Sequence, residues 1–71
     1  MAKEKTVLVT NGNNDHRGTT RATTEAGYIR AAKQIWPYAG MTRVKIRVFD
    51  FEEEAKGNDP IIFETMKDLM I

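Results

Sequence analysis

The sequence predicts an α+β fold: a small two-layer domain whose two- or three-stranded sheet carries two helices on one face. Three stretches predict it. From Arg43 to Val48, basic and β-branched residues alternate without a break. Tyr28, Ile29, Ala32, Ile35 and Trp36 recur at helical spacing, and so do Ile62, Phe63, Met66, Leu69 and Met70. Period two marks a strand with two unlike faces, and a period near 3.6 marks a helix with an apolar stripe.

The strand is the clearest of the three. It spans Thr42 to Phe51, with Val44, Ile46 and Val48 on one side and Arg43, Lys45 and Arg47 on the other. β-Branched side chains are stiff at χ1 and suit a pleated, half-buried surface. Phe49 and Phe51 fall on the basic side and Asp50 on the apolar one. Either a bulge re-aims them, or the aromatics cover something on the second face.

The 71 residues make a single domain, 1–71. A chain of this size buries only about 60% of its unfolded surface, so its core is small. There is no cysteine, which removes disulfides and thiolate zinc sites as supports. No apolar run reaches the roughly 20 residues that span a bilayer. Met1-Ala2-Lys3-Glu4-Lys5 is charged and leads straight into a strand, so a cytoplasmic protein without a membrane partner is expected. Eleven Lys/Arg against ten Asp/Glu leave a net charge of +1, so bulk charge does not predict nucleic-acid binding.

In chain order, Lys5 to Thr10 reads as a strand with both faces partly apolar, as an inner strand requires. Asn11-Gly12-Asn13-Asn14-Asp15 has turn composition, and Asn-Gly is a hairpin signal. Arg17 to Arg21 reads as a short returning strand, with a loop as the alternative. Thr23 or Thr24 caps the first helix and Glu25 suits its positive end. Pro37 disfavours helical geometry at Trp36 and stops the helix there. Pro37 to Gly40 connects tightly into the long strand. Glu52 to Asn58 is an acidic loop. Asp59-Pro60 has the form of a helix start, with a capping carboxylate followed by a proline at the first position. The second helical stripe then runs to Met70. With the hairpin the order is ββαβα; without it, βαβα with parallel strands. A two-stranded sheet is weak alone, so the second version predicts a homodimer sharing strands.

The basic stripe of Arg43, Lys45 and Arg47 is the principal site candidate. Residues on one strand face recur about every 6.6–6.8 Å, near the phosphate spacing of a nucleic-acid strand. Phe49 would offer a stacking surface, and Arg17 and Arg21 would join the patch if their segment lies alongside. The plainer alternative is a solvated strand face, where alternating charge also discourages aggregation.

No catalytic set is recognisable. Asp15-His16 is the only start for acid–base or metal chemistry, and one histidine without cysteine does not close a zinc site. Thr19 or Thr20 as a nucleophile lacks a base and an orienting acid. Asn11 to Gly18 lacks the phosphate-loop and dinucleotide glycine patterns. Trp36, Tyr28 and Tyr38 suit core packing, or an interface anchor. No enzyme activity, cofactor or metal is expected. The expected function is non-enzymatic binding of another protein. Regulation or inhibition of nucleic-acid-handling machinery, as by an accessory protein of a mobile element, is one form of it. The alternative is a nucleic-acid-binding module that uses Arg43, Lys45, Arg47 and Phe49.

Overall fold

The computed structural model describes residues 3–58 and 61–71. Its elements are β1 (Lys5–Asn11), β2 (Asn14–Thr20), α1 (Glu25–Ile35), β3 (Met41–Asp50), α2 (Phe51–Ala55) and β4 (Ile61–Met70). The four strands form one antiparallel sheet in the order β2-β1-β3-β4. The α+β class holds, while the number and order of strands differ from the expectation.

β1 and β2 form the hairpin that Asn11-Gly12 signals. Only Gly12 and Asn13 separate the strands, and Gly12 takes φ +55° while Asn13 does not go positive. Those signs fit a type II′ turn, which needs glycine at its first central position. Asn11 is held at its open end by donating from Nδ2 to the Arg43 carbonyl at 2.6 Å. The parallel βαβα version is therefore excluded, and with it the sheet too small to stand alone.

α1 starts and stops where its sequence says. Thr24 is the N-cap, and its hydroxyl accepts from the Gly27 amide at 3.2 Å. Trp36 leaves the helix in extended geometry (ψ 115°), as a residue before proline must. The helix lays Tyr28, Ala31, Ala32 and Trp36 on the sheet face formed by Val7, Val9, Val44, Ile46, Val48 and Leu69. All six of these sheet side chains are fully buried. Gly18 lies opposite Val7, and a Cβ there would stand 2.7 Å from Ile35 Cγ1. A hydrogen at that position is what lets α1 settle onto the hairpin.

The C-terminal segment is the main correction. The stripe read as a second long helix is β4, paired along β3 from Met41↔Met70 to Phe49↔Ile61. The proposed Asp59-Pro60 start lies outside the described residues. The apolar positions of 61–70 fit a helix, but Ile61, Ile62 and Thr65 are β-branched and β3 needs a partner on its outer edge. Pairing satisfies the backbone of β3 and buries Leu69 completely, while Phe63 stacks at 5.4 Å from Tyr28. Tertiary pairing overrides a weak helical period.

The second helix is instead the short α2, and it does not share the face of α1. Asp50 caps it by accepting from the Glu53 amide at 3.0 Å. From there Glu54 reaches Thr6, which lies on the face opposite Val7 and the core. The register shift between Val48 and Phe49 puts its extra residue, Ile62, on β4; β3 stays in step with β1, so no bulge re-aims Phe49 and it keeps the side that strand alternation gives it. No helix among the described residues is long and apolar enough to cross a membrane.

Candidate functional site

The face away from α1 carries the basic stripe. Strand alternation and register place Arg17, Leu8, Arg47 and Glu64 in one row across it. Thr10, Lys45 and Met66 form the next row, and Arg43 and Asp68 lie beyond. Three of the four cations are already paired within the chain. Arg17 Nη2 meets Glu54 Oε2 at 3.1 Å, Arg43 Nη1 meets Asp68 Oδ1 at 3.4 Å, and Lys45 Nζ meets Glu64 Oε2 at 3.6 Å. Arg47 is half-buried, and its Nε has no partner among the described residues. Arg21 is exposed beyond the end of β2 and outside the stripe.

Phe49 points to this face, opposite Thr6, yet it is only 7% exposed. It belongs to no part of the α1-side core, and its cross-strand neighbour Thr6 is where α2 attaches to the sheet. Glu54 Oε1 accepts from the Thr6 hydroxyl at 2.9 Å, while Oε2 takes Arg17. One carboxylate thus ties α2 to both β1 and β2. The stacking surface expected of Phe49 is closed in this structure.

Asp15-His16 gains no catalytic company. His16 faces the α1 side, where its ring meets Trp36 edge-on at 5.4 Å and Tyr38 at 5.3 Å. Its Nε2 lies 3.2 Å from the Tyr38 hydroxyl. Among the described residues, no group of three His, Cys, Asp or Glu side chains could hold a metal ion. Tyr28 and Trp36 are core residues, and Tyr38 is 43% exposed.

The sequence reading missed a second feature of the basic face. Met41, Met66 and Met70 are 66%, 52% and 60% exposed, and Met41 and Met70 are cross-strand neighbours. Ile61, Ile62 and Ile71 are also exposed along β4 or just past it. Reading 61–70 as a helix had assigned Ile62, Met66 and Met70 to a buried stripe. The signal that separates the two is the alternation Glu64, Met66, Asp68, Met70 on one side and Phe63, Thr65, Lys67, Leu69 on the other. β4 therefore presents acidic and apolar side chains in turn at the border of the sheet.

No family model matches the chain, and neither curated proteins nor solved structures give a significant match.

Proposed function

We propose that this chain is a non-enzymatic binding module that contacts a protein partner through the β3–β4 side of its sheet. The observation that carries this is the exposed line of Met41, Met66 and Met70 set among half-exposed ion pairs. Methionine side chains are adaptable apolar contacts, and a methionine surface bordered by charge suits a protein interface. A nucleic-acid site would need free cations and an open ring. Here Arg17, Arg43 and Lys45 face carboxylates and Phe49 is covered. Glu64 and Asp68 stay about half exposed beside their cations and, with the exposed Glu52, favour a partner with a basic surface. Nucleic-acid-handling proteins carry such surfaces, so blocking one of them is the regulatory role we propose.

Affinity capture from a nuclease-treated lysate tests the proposal, using the wild-type chain, Met66→Asp, and a variant with Arg43, Lys45 and Arg47 changed to Glu. Met66→Asp is expected to lose the captured protein while the wild type keeps it after nuclease. Capture that depends on intact nucleic acid, or that ignores both variants, removes this face as the binding surface.

A further inference from the structure

We infer that the outer edge of β4 accepts an extended segment of the protein partner as a fifth strand. We further infer that this segment carries basic side chains flanking an apolar one at alternate positions. The inference rests on the protein-binding function proposed above and names the partner's chemistry.

β4 is ten residues long and forms one border of the sheet. Every second N–H and C=O of a border strand points outward without a ladder partner. No proline interrupts Ile61–Met70, and only the shift near Phe49 disturbs the strand's register. Such an edge is a template for main-chain pairing, and the side chains beside it set the choice of partner.

Those side chains specify charge. On the face shared with the basic stripe, β4 shows Glu64, Met66, Asp68 and Met70. Its inner neighbour β3 already illustrates what this row accepts: Arg47 lies opposite Glu64 and Arg43 opposite Asp68. Both carboxylates remain about half exposed with their inner cations in place. A fifth strand would set its own residues about 4.8 Å from β4 on the open side. Opposite charges across strands stabilise and like charges destabilise. Lysine or arginine therefore fits opposite Glu64 and Asp68, and an apolar residue opposite Met66 and Met70.

The same test argues against a second copy of this chain. In a sheet continued through a two-fold axis, opposed residues share a face. An axis at Met66 sets Glu64 against Asp68 twice. Axes at Glu64, Lys67 or Asp68 set a charge against itself. An axis at Thr65 opposes Glu64 with Met66 and Asp68 with Ile62. None of these registers gives either carboxylate a cation from the second copy, in addition to the one it has within the chain.

The test uses the wild-type chain and a synthetic peptide as the probe. The peptide has threonine at odd positions and Lys, Val, Lys, Val at successive even positions. Two further versions are N-methylated, one on the odd amides and one on the even amides. Alternate amides of a strand point to opposite edges, so methylation blocks pairing in only one of the two. Fluorescence anisotropy should show one methylated peptide about tenfold or more weaker than the other, and glutamate in place of lysine should weaken binding similarly. Amide exchange should slow along β4 when the peptide is added. Equal affinities of the two methylated peptides, or no binding of the parent, overturn strand addition. Capture that still depends on Met66 would then leave the protein-binding function standing, so the two failures are distinguishable. A rise to twice the monomer mass that the peptide reverses would place a second copy on the edge and overturn the basic-strand partner.

Discussion

Two glycines and one carboxylate show how single residues hold this fold together. A Cβ at Gly27 would lie 2.6 Å from the Ala22 Cβ, an atom with no torsion of its own to turn away. Gly27→Ala should improve helix propensity by about 1 kcal/mol. The clash should reverse that gain, so urea unfolding is expected to show net destabilisation of about 1–3 kcal/mol. Ala22→Gly in the same chain should recover most of it, because the two sites are in contact. Gly18→Ala meets the flexible end of Ile35 instead and should cost less. At Glu54, the neighbouring groups separate by burial. Thr6 is buried, so Glu54→Ala strands its hydroxyl and should cost about 1–3 kcal/mol. Arg17 is mostly exposed, so Arg17→Ala should cost less than about 1 kcal/mol in the same measurement.

At the scale of elements, β4 and α2 exchange the roles that their sequences suggest. Ile62, Phe63, Met66, Leu69 and Met70 satisfy a helical stripe by count, yet only Leu69 among them is fully buried. A helix docked by that stripe would bury most of the five. Leu69→Ala is therefore expected to cost about 2–5 kcal/mol, against little change for Met66→Ala, with thermal unfolding as the measure. Comparable losses at the two positions would contradict the strand assignment. The acidic loop, by contrast, begins as the helical turn that Asp50 caps. Its attachment to Thr6 and Arg17 was not legible, because a five-residue helix has no periodicity to reveal the face it meets. The turn at Asn11-Gly12, the start of α1 and its stop before Pro37 were legible, since each depends on local chemistry; the returning strand β2 was legible only beside a loop as the alternative.

The whole molecule presents two unlike borders and two unlike faces. β2 closes one side of the sheet, with α1 packed near it through Gly18 and Ile35. β4 closes the other, and among the described residues no strand pairs with its outer edge. The face under α1 holds the core, and the opposite face carries interleaved ion pairs. A net charge of +1 and internal pairing leave little charge for tracking phosphates. A fluorescent single-stranded oligonucleotide is expected not to bind appreciably even at low salt. Tight binding with a steep inverse dependence on salt would restore the nucleic-acid alternative. The basic stripe itself was legible as a pattern of residues. Its neutralisation was not, because Glu54, Glu64 and Asp68 meet it only through pairing between distant segments.

By itself, the sequence determined the class of fold, the Asn11-Gly12 turn, α1 with its cap and stop, and the two-faced β3. Each is set by period, turn chemistry or capping within a few neighbouring residues. Only the tertiary structure decided that the last segment is a strand, that Phe49 is buried, and that three of the four cations of the stripe are paired. Those outcomes depend on which backbone edge needs a partner and which side chains meet across the sheet. That is also why the exposed line of methionines, and the open edge beside it, came into view only with the strands in register.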